Sequence, residues 1–278
     1  MQIWIGTSGY SYRDWIGTFY PAGTPTRGML RSYCRHFPLV ELNFTFYRPP
    51  TAPVLVKLAE QTPPGFQFLV KLPRSLSHEE KSDDLRSFRE SAEALQERGQ
   101  LSGLLCQLPQ AVHRSRKHIS WLEHLFAELG DYRLAVEFRH RSWYRPEVTE
   151  WLANRNIDLV AVDAPDLPNL YPSGPVRSGE NMYVRFHSRN RENWYLTDKQ
   201  RYDYSYSDEE LREWIDHIRS NAAELKKVFL LFNNCHRGQA VADAQRIREL
   251  FVRLAPELDL VAPPPGIAED SSQRLLFD

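Results

Sequence analysis

The strongest constraint on the fold is a regular alternation of eight short apolar segments with longer amphipathic segments. The strand-like segments cover residues 3–6, 39–45, 66–72, 103–108, 133–138, 158–163, 182–187 and 228–233. The helix-like segments cover residues 27–37, 53–61, 85–98, 118–129, 146–154, 207–225 and 239–254. Eight short strands, each followed by a crossover, predict an α/β fold that consists of a single (β/α)8 TIM barrel.

Two connections depart from the regular pattern. Four prolines and two glycines between residues 164 and 181 exclude a long helix, so we expect an irregular crossover after strand 6. The connection over residues 188–206 is long, polar and aromatic, and such loops at the C-terminal face of a barrel usually shape a site. We predict a TIM-barrel domain over residues 1–258, and a proline-rich linker with an extended C-terminal tail over residues 259–278.

Charge and cysteine content limit the classes of function. The formal net charge of −1 provides no global basic field for nucleic acid, so any anion must be bound by a local cluster. Cys34, Cys106 and Cys235 are far apart and lie in apolar segments, which is typical of buried, reduced thiols. The N-terminus has no leader and no apolar run approaches about 20 residues, so we expect a cytoplasmic protein without a membrane partner.

Polar side chains occur where the predicted strands end, and this is where a TIM barrel builds its site. Strand 5 is the clearest case, because Glu137 and Arg139 share one face of the strand and Trp143 follows before the next helix. The other polar residues at strand ends are Ser8, Glu41, Asn43, Lys71, Gln107, Asp163, Arg185, His187, Asn233 and Asn234. We expect these side chains to converge in a common mouth.

The residue types in this set indicate an anionic ligand. Lys71, Arg139, Arg185 and His187 would form a cationic lining for a phosphate, a carboxylate or a nucleic-acid backbone. The candidate general acids or bases are Glu137, Asp163 and Glu41. The candidate ligand-binding residues, which include three aromatic side chains for stacking, are Ser8, Tyr12, Trp15, Asn43, Lys71, Gln107, Arg139, Trp143, Arg185, His187, Asn233 and Asn234.

Two other interpretations of the same residues stay open. The polar groups could form a structural plug in which Glu137 pairs with Arg139 and Lys71 pairs with Glu41. A metal bound by His187 and the carboxylates is possible but not favoured, because the spacing matches neither a zinc site nor a dinuclear cluster. The sequence therefore assigns no metal ligand and no cofactor.

Several blocks of the sequence together resemble one family. They are GTSGYSYRDW at 6–15, FYP at 19–21, VELNFTFY at 40–47, PGFQF at 64–68 with Lys71, QLP at 107–109, VEFRHRSW at 136–143, YVRFH at 183–187 and FNN at 232–234. Over about residues 1–255 the chain resembles the YecE-like domain-of-unknown-function-72 family. The resemblance implies a TIM barrel but no established activity. The likeness of such barrels to the endonuclease IV and xylose-isomerase group suggests a DNA-related or phosphosugar-related role, although this sequence lacks the strand-end histidines of a three-metal site.

The C-terminal tail carries a possible partner-binding peptide. Gln273, Leu276 and Phe277 match the bacterial sliding-clamp-binding peptide, whereas Arg274 and Leu275 depart from its commonest form. Such a peptide would bind at about micromolar strength, roughly −8 kcal/mol. The alternative is that the tail folds back as an apolar plug over the helices of the barrel.

Three functions remain compatible with the sequence. The first is a hydrolase or lyase that acts on a phosphate-bearing or nucleic-acid-derived substrate, linked to DNA repair and recruited by a sliding clamp. The second is a non-catalytic adaptor that binds a nucleotide or DNA. The third is a carbohydrate-active enzyme that uses paired carboxylates.

Overall fold

The computed structural model describes residues 1–266, except for the side chain of Asp198. The barrel strands are β1 Gln2–Ser8, β2 Leu39–Leu42, β3 Gln67–Lys71, β4 Leu101–Gln107, β5 Leu134–Glu137, β6 Asp158–Asp163, β7 Asn181–Phe186 and β8 Lys227–Phe232. Neighbours in this order pair in parallel, and β1 closes the sheet by pairing with both β8 and β2. The predicted (β/α)8 barrel is confirmed.

Helices surround the barrel and connect its strands. They are α1 Met29–Tyr33, α2 Phe44–Tyr47, α3 Ala52–Ala59, α4 Arg74–Ser77, α5 Leu85–Gln96, α6 Arg116–Glu128, α7 Pro146–Ala153, α8 Asp198–Arg201, α9 Asp208–Ser220 and α10 Gln239–Leu254. Two of them begin where the sequence carries a start signal. Pro146 is the first residue of α7, and Ser207 forms a capping box with Glu210 at the start of α9. None of the helices within residues 1–266 is both long and apolar enough to cross a bilayer.

The crossover after β6 is irregular, as predicted. Residues 164–180 form no helix, and their backbone is held by side chains and isolated bridges. The Ser173 hydroxyl accepts a hydrogen bond from the Ala164 amide at 3.1 Å, and Leu170 bridges to His140 after β5. The crossover consequently runs along the mouth of the barrel, where it brings the buried side chain of Leu170.

A ninth strand follows residue 258, at which the barrel domain was predicted to end. β9 Asp259–Leu260 pairs in parallel with Gln2 and Ile3 of β1, and the amide of Val261 donates to the Ile3 carbonyl at 2.9 Å. β2 pairs with β1 only at Gly6–Ser8, so β9 occupies the part of this edge that β2 leaves open. The ordered sheet therefore continues past residue 258, because the backbone groups of β1 need partners there.

Alternation along the strands separates an inner core from a larger outer core. The inner core fills the N-terminal half of the barrel with Leu39, Leu69, Leu105, Ala135, Val160, Tyr183, Phe229, Leu231 and, partly buried, Trp4. The outer core packs the other face of each strand against the helices. The three cysteines are buried and free, as predicted. Two residues after the apolar layer, the inner positions become polar, and this change places the candidate site at the C-terminal mouth.

Candidate functional site

A buried ionic network lies directly above the apolar layer. Arg185 of β7 donates to Glu41 Oε1 at 2.6 Å, to Glu41 Oε2 at 3.0 Å and to Glu137 Oε2 at 2.5 Å. The Tyr183 hydroxyl also donates to Glu41 Oε2 at 2.6 Å, and the Ser8 hydroxyl lies 3.4 Å from Arg185. All five side chains are buried. Side chains from strands β1, β2 and β5 therefore converge on the guanidinium of Arg185 in β7.

The charges in this network balance. Arg139 forms a second ion pair with Glu137, so two carboxylates face two guanidiniums. Burial alone would raise the pKa of Glu137, but Arg139 and Arg185 hold it well below its usual value. Glu137 is thus ionised and has no proton to donate near neutral pH. Its carboxylate holds the two arginines in place. The structural interpretation of the sequence anticipated the pairing with Arg139 but not the one with Arg185.

His187 completes the network as a neutral ring. Its Nε2 lies 3.1 Å from Arg139 Nη2 and 3.3 Å from Glu137 Oε1, while its Nδ1 lies 3.0 Å from Asn233 Nδ2. Complete burial, with a smaller effect of the Arg139 charge, lowers the pKa of His187 to about 3. The expectation that His187 adds positive charge to the mouth is therefore corrected: near neutral pH it is an uncharged group that orients Arg139.

An open pocket of about 300 Å³ lies above the network. The part of its wall that the structure describes consists of three cationic side chains, five aromatic rings and several other residues, none of them a carboxylate. The lining residues are Phe46, Tyr47, Lys71, His78, Gln107, Pro109, Gln110, Arg139, Leu170, Trp194, Tyr195, Arg201 and Tyr202. In proteins generally, cationic side chains bind anions and aromatic rings stack on other flat rings.

Lys71, at the end of β3, lies against neutral groups. Its Nζ donates to Gln107 Oε1 at 2.8 Å and lies 4.3 Å from the centre of the Phe46 ring. Gln107 is itself fixed, because its amide nitrogen donates to the Leu108 carbonyl. The pairing of Lys71 with Glu41 that a structural plug would require is replaced by this hydrogen bond to an amide. Burial, reinforced by the charge of Arg185, lowers the pKa of Lys71 to about 7.

The aromatic connection between β7 and α9 covers one side of the pocket. Trp194 is buried, with the guanidiniums of Arg139 and Arg201 at 5.8 Å and 5.5 Å from its ring. Arg201 Nε donates to the Trp194 carbonyl at 2.6 Å. The centres of the Tyr202 and His187 rings are 6.2 Å apart. This loop therefore supplies a wall of the mouth.

Asp163 does not reach the mouth. Alternation turns its side chain to the outer face of β6, where its oxygens accept hydrogen bonds from Trp214 Nε1 at 2.7 Å and from the Tyr206 hydroxyl at 3.1 Å. Arg189 pairs with the same carboxylate at 2.8 Å. The prediction that Asp163 is a catalytic residue of the mouth is therefore corrected. It joins β6 to α9 and to the loop before it.

Three other predicted ligand-binding residues also lie outside the mouth. The indole nitrogens of Trp15 and Trp143 donate to backbone carbonyls at 2.8 Å, and both side chains are buried in the outer core. Asn234 donates to Asp243 Oδ2 at 2.7 Å and is likewise buried. None of these three side chains presents a face to a ligand, because outward positions pack against helices and loops.

Tyr12 and Asn43 line a neighbouring cavity of about 480 Å³, which shares Tyr47 with the mouth pocket. The Tyr12 hydroxyl donates to the Ser8 carbonyl at 2.7 Å. The Asn43 side-chain oxygen is buried and has no hydrogen-bond partner within residues 1–266. These two residues therefore flank the predicted site without lining it.

Sequence reasoning missed several residues of the pocket. Phe46 follows β2 within α2, His78 follows α4, and Arg201 closes α8, so none of them ends a strand. The aromatic clustering in 40–47 and 188–206 is a signal that could have indicated Phe46 and Arg201, whereas His78 lies outside both segments. Within residues 1–266, no three side chains among His, Cys, Asp and Glu are grouped so that they could hold a metal ion.

A closed (β/α)8 barrel with a charge-balanced network beneath a cationic and aromatic mouth defines a TIM-barrel protein with a candidate binding site at its C-terminal end. The chain belongs to the family described as "Protein of unknown function DUF72", whose sequence model matches residues 4–267. The resemblance found in the sequence is thereby confirmed.

Relatives and solved structures agree with this assignment. The chain is 30% identical to the UPF0759 protein YunF of Bacillus subtilis (strain 168) over 284 residues, which cover 93% of this chain and 100% of YunF. It is 29% identical to the UPF0759 protein YecE of Escherichia coli (strain K12) over 161 residues, which cover 56% of this chain and 55% of YecE. A DUF72 family protein of Thermotoga maritima superposes with a TM-score of 0.81 at 37% identity, over 90% of this chain and 99% of that one. A DUF72 family protein of Enterococcus faecalis V583 superposes with a TM-score of 0.79 at 25% identity, over 89% and 94%.

Proposed function

We propose that the barrel mouth binds a small anionic ligand that carries a phosphate group and a flat ring, as a nucleotide does. The observation that carries this proposal is the composition of one pocket, whose described lining residues include Lys71, Arg139, Arg201 and five aromatic rings but no carboxylate. Its volume of about 300 Å³ suits a single nucleotide or a molecule of similar size.

The cationic groups are held in position before a ligand arrives. Glu137 pairs with Arg139, and His187 contacts the same guanidinium, so little side-chain freedom is left to lose on binding. Lys71 is fixed by a neutral amide, so its charge is available to an anion. A planar guanidinium and an ammonium at one pocket wall suit the oxygens of a phosphate.

The aromatic rings of the pocket would bind the flat ring of the ligand. Tyr47 and Tyr195 are exposed at the rim, whereas Trp194 is buried in the wall. Stacking of a base on such rings contributes about 1–3 kcal/mol per base. A ligand with a phosphate but without a ring would therefore bind more weakly than a nucleotide.

Calorimetric titration with a nucleoside monophosphate, the matching nucleoside and inorganic phosphate tests this proposal. We expect the nucleotide to bind most tightly, with an affinity that falls as salt rises from about 50 to 200 mM. Lys71→Met should weaken binding by about tenfold or more. Arg86→Met, a change at a highly exposed residue of α5, is the matched control. Equal affinity for nucleotide and nucleoside, or no binding of either, would contradict the proposal.

The buried carboxylates disfavour the carbohydrate-active alternative. Glu41 and Glu137 are both fully buried, and both bind Arg185 instead of facing the pocket. Glycoside chemistry needs two carboxyl groups on either side of an accessible bond. A non-catalytic nucleotide-binding adaptor is the second candidate, since a neutral, fully paired network needs no catalytic role. Turnover of bound nucleotide or phosphosugar distinguishes an enzyme from an adaptor.

Recruitment to a sliding clamp, and with it a link to DNA repair, is a separate proposal that rests on the sequence. Gln273, Leu276 and Phe277 lie outside the described residues. The proposal is supported by their match to the clamp-binding peptide and by their position after a proline-rich segment. Deleting 273–278 should abolish co-elution with a bacterial sliding clamp and leave nucleotide binding unchanged. Co-elution that survives the deletion would refute this recruitment.

A further inference from the structure

Lys71 differs from other lysines of this chain in its surroundings. Lys81, Lys117 and Lys226 are exposed and form ion pairs with glutamates. Lys71 instead lies at the base of the mouth pocket, where its amine contacts an amide oxygen at 2.8 Å and faces an aromatic ring. An amide can accept a hydrogen bond from a neutral amine as well as from an ammonium, so this position does not require a charged lysine.

Burial of Lys71 also favours its neutral form, whereas the charged groups around it act in both directions. Burial has the largest effect on its pKa, which is lowered to about 7, and the charge of Arg185 acts in the same direction. Glu41 and Glu137 oppose this shift, and Arg139 adds to it. Among exposed lysines with an ordinary pKa, roughly one amine in a few thousand is neutral near pH 7. Near pH 7, a far larger share of Lys71 than of the surface lysines would therefore carry a lone pair.

We propose that Lys71 is a nucleophilic amine that forms an iminium with a small aldehyde or ketone carrying a phosphate group. The substrate class is the open-chain carbonyl form of a phosphorylated sugar, with the phosphate held by the guanidinium side chains of the mouth and not by Lys71. The phosphate requirement rests on the proposed anion binding, whereas the reactivity of the amine does not.

The chemistry balances without an oxidant or a reductant. The Lys71 lone pair attacks the carbonyl carbon, and the carbonyl oxygen takes up the proton that the nitrogen releases, which gives a carbinolamine. The carbinolamine hydroxyl then takes up a second proton and leaves as water, so a carbon–nitrogen double bond with a positive charge remains. The neighbouring carbon is thereby activated for proton loss or bond cleavage, which is the chemistry of a lyase or an isomerase.

Reductive trapping tests this proposal on the whole protein. The protein is incubated near neutral pH with glyceraldehyde 3-phosphate and sodium cyanoborohydride, and the modified lysines are then located by proteolysis and mass spectrometry. We expect Lys71 to be labelled about tenfold more than Lys81, Lys117 or Lys226 in the same digest. Labelling should reach half its maximum near pH 7 at Lys71 but only at much higher pH at the exposed lysines.

Two variants and a second probe separate the possible outcomes. Lys71→Arg keeps the positive charge and should lose the label, whereas Lys117→Met should leave labelling of Lys71 unchanged. If Lys71 is labelled no more than the exposed lysines while nucleotide still binds, the iminium proposal is overturned and the anion-binding proposal stands. If unphosphorylated glyceraldehyde labels Lys71 as well as its phosphate does, the amine is reactive but the phosphate requirement fails.

Discussion

Replacing Arg185 by methionine is the most informative test of the buried network. Arg185 makes three hydrogen bonds of 2.5–3.0 Å to two carboxylates that are fully buried. Without Arg185, Glu41 would still accept the hydrogen bond from the Tyr183 hydroxyl, and Glu137 would still pair with Arg139 and contact His187. One negative charge is then uncompensated inside the barrel.

The expected loss of stability follows from the cost of an unpaired buried charge. Breaking a buried ion pair by removing one partner costs about 3–5 kcal/mol. A loss of this size is a large part of the roughly 5–15 kcal/mol that holds a domain folded. With about 2–4 °C of midpoint change per kcal/mol for a chain of this size, Tm should fall by about 6–20 °C.

Thermal and denaturant unfolding followed by circular dichroism measures this loss. Arg86→Met is the matched control, because the Arg86 side chain is 93% exposed, and its midpoint should not change. Adding Glu41→Met to Arg185→Met removes the carboxylate that has lost its partner. The double variant should therefore be more stable than Arg185→Met alone, so the effects of the two changes on stability are not additive. A single Arg185→Met variant that unfolds within about 1 kcal/mol of the unchanged protein would refute the assignment of the network as a stabilising, charge-balanced unit.

Lowering the pH should destabilise the folded protein through the Glu137 carboxylate of the same network. The pKa of Glu137 is below its usual value in the folded protein despite its burial, because Arg139 and Arg185 lie beside it. Its contribution to stability is therefore complete above the ordinary glutamate pKa of about 4.3 and is lost as the pH falls through the lower folded-state value. Arg185→Met removes one of the two cations, so acid unfolding should begin at a higher pH.

Further predictions concern other parts of the molecule. Asp163→Asn should lower stability by about 1–3 kcal/mol and leave nucleotide affinity unchanged, because the residue lies outside the mouth; a selective loss of binding would contradict this. Nucleotide binding near pH 7 should take up a proton at Lys71, which calorimetry in buffers of different ionisation enthalpy detects; heats that do not depend on the buffer would contradict it. Trp194→Leu should weaken nucleotide binding, measured by the same titration, whereas Trp151→Leu at a helix surface should not.

Residue alternation explains both the successes and the failures of the sequence-based prediction of the site. Glu137 and Arg139 share a face because the side-chain period of a strand is two, and the structure brings them together as an ion pair. Asp163 also follows an apolar row, that of Ala161, but this row faces the helices. Both faces of a barrel strand are buried, so apolar content alone does not distinguish inward from outward.

Pairing within the site could not be deduced in the same way. Arg185 and Glu41 are 144 positions apart in sequence, yet they form the central ion pair of the network. Their contact depends on closure of the barrel, which places β7 across from β2. The wall of the pocket likewise depends on how the loop carrying Trp194 and Arg201 folds over the mouth.

The sequence by itself determined the eight-unit barrel, the irregular crossover after β6 and the family, because these depend on local periodicity, helix-breaking residues and linear blocks. Only the tertiary structure decided which polar residues are locked in the buried network and which line the open pocket. It also decided that Lys71 lies against an amide instead of a carboxylate. The physical reason is that burial and charge neighbours, which set protonation and accessibility, arise from contacts between residues far apart in the chain.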